Sequence, residues 1–246
     1  MMIENEAAGP EIVRRILKSW LPLVLLSALG VAGCKVRAST DAASSAASSS
    51  SSSPARGREL FETCAECHGT HGEGNSEIGA PNIAGMKAWY IETELRKFRA
   101  GERGAQFDDI EGMRMRPMAL SLPTEGDIPV IAKYVESLPP VRHAPILGGD
   151  AKIGKRRYAL CSGCHNPDGG GNESVKAPRL AGLDDWYLAT ELKKFRGGVR
   201  GADPRDEEGT AMAPMAKSLA NEKVIRDISA YISTLQPAAN SETQSQ

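Results

Sequence analysis

The sequence predicts an all-α protein made of two tandem copies of one small helical unit. Three observations carry this prediction. Shifting the chain by 97 positions aligns its halves without a gap, the mark of a duplicated structural unit. Within each copy, apolar residues recur at helical spacing and the helices stop at glycine. No run of strand alternation competes, and the connecting segments are long and glycine-rich.

In the repeat, Gly57 meets Gly154, and Cys64, Cys67 and His68 meet Cys161, Cys164 and His165. Gly72, Gly74 and Asn75 meet Gly169, Gly171 and Asn172; Pro81 meets Pro178; Trp89-Tyr90 meets Trp186-Tyr187. Further on, Met115, Pro117 and Met118 meet Met212, Pro214 and Met215. The units span residues 57–140 and 154–237, with a linker at 141–153 and a polar tail at 238–246.

The first helix is expected to run through "GRELFETCAECH" and, in the second copy, "GKRRYALCSGCH". The second carries Ile91, Leu95 and Phe98, or Leu188, Leu192 and Phe195, and ends near Gly101 or Gly198. The last aligns Ile128, Ile131, Val135 and Leu138 on one face, matched by Ile225, Ile228, Ile232 and Leu235. Thr124 and Asn221 are suitable N-caps. Units this small with loops this long need a staple.

The N-terminus reads as an export signal. Arg14, Arg15 and Lys18 precede a 14-residue apolar run, Trp20 to Gly33, interrupted by Pro22. That is shorter than the roughly 20 residues a membrane-spanning helix needs, and fits a signal peptide over residues 1–33. The segment "VAGC" resembles the bacterial lipobox, which would make Cys34 the lipidated first residue of the mature chain. The alternative is an ordinary signal with a chance cysteine, but the lipobox also accounts for the odd cysteine among five. Residues 34–56 form a tether, with nine serines between 39 and 53 that cannot bury enough apolar surface to order. The expected setting is therefore periplasmic and lipid-anchored, on either the inner or the outer membrane. A net charge of −1 gives no basic stripe for nucleic acid.

The other four cysteines form "CAECH" and "CSGCH", the haem c attachment signature. Two cysteines three apart lie on one side of a helical turn, so their sulfurs can reach both vinyl groups on one porphyrin edge. The following histidine then sits under the ring. Zinc is the main alternative, but each motif belongs to its own repeat with its own matched flanks. A thioredoxin-like dithiol lacks its strand–helix context. Haem iron in a helical carrier often takes methionine as its second axial ligand. Met86 faces Leu183 and Met113 faces Thr210 across the repeat, so only the pairs Met115/Met212 and Met118/Met215 recur. Spacing does not choose between them.

These features resemble the di-haem class I cytochromes c of the cytochrome c4 type, over residues 57–237. The resemblance implies two class I cytochrome c domains, each with three to four helices around one covalently bound haem c. It implies axial ligands seven residues before Leu122 and Leu219, which are Met115 and Met212, with Met118 and Met215 packing nearby. It also gives Pro81 and Pro178 the role of accepting a hydrogen bond from the ligand imidazole. Trp89 and Trp186 are candidates to donate to a haem propionate or simply to pack. Arg99/Arg196 and Arg103/Arg200 either neutralise propionates or line a solvated helix face. His71 and His143 have no counterparts and read as loop residues.

The repeats differ in charge: 57–140 holds 9 Lys/Arg against 14 Asp/Glu, net −5, and 154–237 holds 13 against 11, net +2. Such unequal fields can steer two different partners. The expected function is single-electron transfer between a quinol-oxidising complex and a terminal oxidase or reductase, without substrate turnover. The alternatives are a fixed subunit of a respiratory complex, or a di-haem enzyme such as a peroxidase or a sulfur-compound dehydrogenase.

Overall fold

The computed structural model describes residues 53–236. The export signal, Cys34, the serine tether up to residue 52 and the tail lie outside the described residues. The first repeat contains α1 (Pro54–His68), α2 (Ala88–Ala100), α3 (Ile110–Leu120) and α4 (Asp127–Ser137). The second contains α5 (Ala151–Tyr158), α6 (Ser162–His165), a 3-10 turn (Glu173–Val175), α7 (Asp185–Gly197), α8 (Glu207–Lys217) and α9 (Glu222–Ile232). Among the described residues, β-pairing is confined to two isolated bridges, Asn75–Ala80 and Asn172–Ala177.

Close packing of the first and last helices closes each repeat, and glycine permits it. A Cβ on Gly57 would stand 2.7 Å from Tyr134 Cβ, and one on Gly154 would stand 1.9 Å from the Asp227 carbonyl oxygen. The aromatic pairs beside these contacts also repeat, Phe61–Tyr134 at 5.3 Å and Tyr158–Tyr231 at 5.4 Å. As the spacing predicts, Ile128, Ile131 and Val135 of α4 are buried, as are Ile225, Ile228 and Ile232 of α9. Helices α2 and α7 end on left-handed Gly101 and Gly198, where no Cβ penalty applies.

Two local expectations need correction. The first helix is continuous only in repeat one; in repeat two it breaks between Tyr158 and Ser162. There, i to i+3 bonds (Leu160 N to Arg157 O, Cys161 N to Tyr158 O) tighten the chain, and Gly163 replaces the better helix former Glu66. Asn221 does cap α9 by accepting from Val224 N, but Thr124 is not the cap of α4. The Asp127 carboxylate reaches back instead to the Thr124 amide and hydroxyl. Two further helices, α3 and α8, carry the methionines. Each helix is opened by an aspartate, Asp109 or Asp206, that accepts from the amide three residues on.

The repeats pack on each other through a nearly two-fold arrangement of buried charge. Lys97 Nζ lies 2.5 Å from Asp206 and 2.7 Å from Glu208; Lys194 Nζ lies 2.6 Å from Asp109 and 2.8 Å from Glu111. Between them Arg103 and Arg200 each bind both Glu94 and Glu191. Arg103 and Arg200 thus lie in a buried ionic core, not on a solvated helix face. Around it, Ile83 and Ile91 pack against both hydrophobic clusters, and Met86 of the first repeat is buried in the cluster of the second.

Candidate functional site

Each CxxCH segment leads into a glycine-bearing loop that folds back on its histidine. His68 Nδ1 lies 2.8 Å from Pro81 O, and His165 Nδ1 lies 2.8 Å from Pro178 O. A carbonyl can only accept, so each Nδ1 donates and the Nε2 lone pair stays free. Burial lowers both histidine pKa values, with the carbonyl bond opposing. Both rings are therefore neutral near pH 7, the form that binds a metal.

The loop that brings the proline carbonyl to the ring depends on glycine. Gly74 and Gly171 have φ of +86° and +83°, and their amides donate to His68 O and His165 O. A Cβ on either would lie 2.5 Å from the amide nitrogen of Asn82 or Arg179. Gly72 O receives the amides of Ile83 and Ala84, and Gly169 O those of Leu180 and Ala181. These bonds give the repeated glycines of the sequence their structural reason.

In the second repeat the histidine faces an apolar cleft with about 1430 Å³ of empty volume, its open mouth included. Cys161, Cys164, Met212 and Met215 line it, and Met86, Trp89 and Tyr90 from the first repeat form part of its wall. Met212 is partly buried against the core, whereas Met215 is 38% exposed. Cys64 and Cys161 are half-buried and Cys67 and Cys164 exposed. Burial raises the Cys64 and Cys161 thiols to about 11. Two thiols, a neutral imidazole and thioethers around one large apolar cleft fit a covalently attached tetrapyrrole. Among the described residues, no cluster of three or more His, Cys, Asp or Glu could hold a bare metal ion.

The remaining candidates separate. Trp89 packs edge-on to Tyr90 and carries Lys176 over its ring at 5.5 Å, while Trp186 packs on Tyr187. Arg99 caps Ala119 O and Leu122 O and pairs with Glu125; Arg196 pairs with Glu222. His71 is exposed beside Thr70, and His143 lies 2.8 Å from Asp184. Sequence reasoning passed over Glu94, Lys97, Asp109 and their counterparts; their signal was recurrence at the same offset, hidden by their resemblance to solvated charges.

The cytochrome c family model matches residues 54–139 and 151–236. The chain belongs to the cytochrome c family. Its two CxxCH domains carry two covalently bound haem c groups, and its function is electron transfer. It is 29% identical to cytochrome c4 of Azotobacter vinelandii, over 87% of this chain and 97% of that protein. It is 30% identical to the thiosulfate dehydrogenase electron acceptor of Stutzerimonas stutzeri, over 65% of this chain and 74% of that one. The structure of reduced cytochrome c4 from Pseudomonas stutzeri superposes with a TM-score of 0.60 at 27% identity, covering 75% of this chain and 99% of that one.

Proposed function

We propose that this cytochrome is a periplasmic carrier passing single electrons from a quinol-oxidising membrane complex to a terminal oxidase or reductase. The duplicated donor set carries this reading. Cys64 and Cys67, and Cys161 and Cys164, would form the thioethers; His68 with Met115, and His165 with Met212, would hold the two irons. In the second repeat, the deeper seat of Met212 relative to Met215 supports that choice. With both axial positions filled from the chain, neither site keeps a place for substrate. Bound there, haem c supplies a one-electron couple, whose potential methionine ligation raises relative to two histidines.

The chain's own charges support separate docking of donor and acceptor. Helix α1 exposes Glu59, Glu62 and Glu66 beside the first CxxCH, whereas α5 exposes Lys152, Lys155, Arg156 and Arg157 beside the second. A basic partner face fits the first and an acidic one the second. Among the described residues no helix is long and apolar enough to cross a membrane. Membrane attachment through a lipid on Cys34 rests on the lipobox.

A second reading follows from relatives named thiosulfate dehydrogenase electron acceptor: the donor is a thiosulfate-oxidising enzyme. Extraction from native membranes in mild detergent distinguishes these readings. The carrier is expected to purify alone, with two haems per chain, and to be reduced by quinol only through a membrane complex. Direct reduction by a thiosulfate dehydrogenase supports the second reading. Stoichiometric co-purification with an oxidase, or carbon monoxide binding to the native ferrous protein, overturns the carrier.

A further inference from the structure

Arg179 is 9% exposed, yet no carboxylate among the described residues forms an ion pair with it. Its Nη1 donates to Ala181 O at 2.8 Å and its Nη2 to Ala84 O of the first repeat at 3.2 Å; its Nε has no partner. The buried cations Lys97, Lys194, Arg103 and Arg200 all meet carboxylates. Burying a cation without a counter-charge costs several kcal/mol. In line with this, burial lowers the pKa of Arg179, with no neighbouring charge acting against it.

The position of this cation is informative. Arg179 follows Pro178, whose carbonyl fixes His165, and it lines the cleft of the second repeat together with Cys164 and His165. Its counterpart is Asn82, a neutral amide that accepts from Ala84 N at 3.1 Å and donates to Val141 O at 2.8 Å. The flanking residues match closely, Pro-Asn-Ile-Ala-Gly against Pro-Arg-Leu-Ala-Gly. The duplication therefore places an uncompensated buried cation beside one site and a neutral group beside the other.

We infer that Arg179 is the counter-cation of the carboxylate-bearing haem of the second repeat and sets that site's reduction potential above the first. A fixed positive charge in a poorly screened setting favours the state holding one more electron, and Asn82 supplies no such charge. Electrons entering at either repeat therefore come to rest on the second. This rests on the reading that each CxxCH segment holds one haem c.

The test is a spectroelectrochemical titration of the full-length holoprotein and three variants. Arg179→Asn is expected to lower one of two one-electron waves by about 59 mV, a tenfold change in the internal equilibrium constant, leaving the other in place. Arg179→Lys is expected to keep most of the separation, and Asn82→Arg to raise the other wave, which assigns it to the first repeat. The inference is overturned if Arg179→Asn moves both waves equally or neither. It is also overturned if Arg179→Lys falls as far as Arg179→Asn, which would point to packing. Should Arg179→Asn not fold, a first-repeat wave unmoved in Asn82→Arg decides against it. Fewer than two haems per wild-type chain would instead refute the reading of the sites.

Discussion

Lys194 Nζ of the second repeat lies 2.6 Å from Asp109 Oδ1 of the first, and the same oxygen accepts the Gly112 amide that opens α3. Lys97 and Asp206 repeat this arrangement, with Gly209 as the capped amide. One carboxylate thus serves as a helix cap and as a contact between repeats. The helix it caps carries the candidate methionine ligands, so docking of the repeats is coupled to the placement of Met115 and Met212.

That coupling makes Asp109→Ala more costly than a simple cap deletion. Loss of a cap alone costs about 1 kcal/mol; Lys194 keeps Glu111 and Glu191, so losing its charged hydrogen bond to Asp109 adds about 1.5–3 kcal/mol. The expected loss is therefore about 2.5–4 kcal/mol by urea denaturation. Asp109→Asn, which can still cap, should recover only about 1 kcal/mol of it. Equal stabilities for Asp109→Ala and a surface cap variant would remove the proposed coupling.

Acid should weaken the contact between repeats. Burial tends to raise the Glu191 pKa, but Arg103 and Arg200 outweigh it and hold the carboxyl at about 2. Glu94 is lowered by the same two guanidiniums against the same burial. Both folded values lie below the ordinary value of about 4.3, so the stabilisation is fully present above it. It is lost as pH falls from about 4 to about 2, where protonation leaves Arg103 and Arg200 uncompensated. Urea midpoints measured across that window should fall steeply, and a Glu94→Gln/Glu191→Gln variant should show a flatter profile.

Gly74→Ala and Gly171→Ala should damage the haem sites out of proportion to their size. Left-handed backbone at a non-glycine residue costs about 1–3 kcal/mol, and a Cβ 2.5 Å from a backbone nitrogen cannot be accommodated without moving the loop. The expected cost is about 2–5 kcal/mol, with altered ligand-field absorption at one haem as the Pro81 or Pro178 carbonyl shifts. Gly148→Ala is the control: it has φ of +67° but nothing within 4 Å of its Cβ position, so it should cost about 1 kcal/mol.

What was legible in the chain follows from the reach of each signal. The i, i+4, i+7 pattern of α2 and α7 and the apolar face of α4 and α9 are local, and read directly. The CxxCH motif is local as well, so the haem sites could be located from it. Helices α3 and α8 were hidden because methionine, glycine and proline blur their periodicity, and their stabilising cap belongs to a contact made across the repeats. The burial of Glu94, Lys97 and Arg103 could not be read because helical spacing shows which residues share a face. It does not show whether that face meets water or a second copy of the same face.

The choice of axial methionine is the remaining point where sequence and fold must agree. Met212 is partly buried against the core that holds Ile225 and Ile228, whereas Met215, three residues along α8, is 38% exposed at the cleft mouth. A thioether that binds iron should be held by packing, because a mobile one forfeits the ordering that makes the bond strong. Met212→Ala should therefore remove half of the far-red methionine–iron absorption and lower one of the two potentials, and Met115→Ala should do the same for the other site. Met215→Ala and Met118→Ala should keep that absorption; half-buried Met118 should lose at most about 2–3 kcal/mol of stability and the exposed Met215 less. The double variant Met115→Ala/Met212→Ala should lose the absorption entirely; if it persists, the ligands are Met118 and Met215.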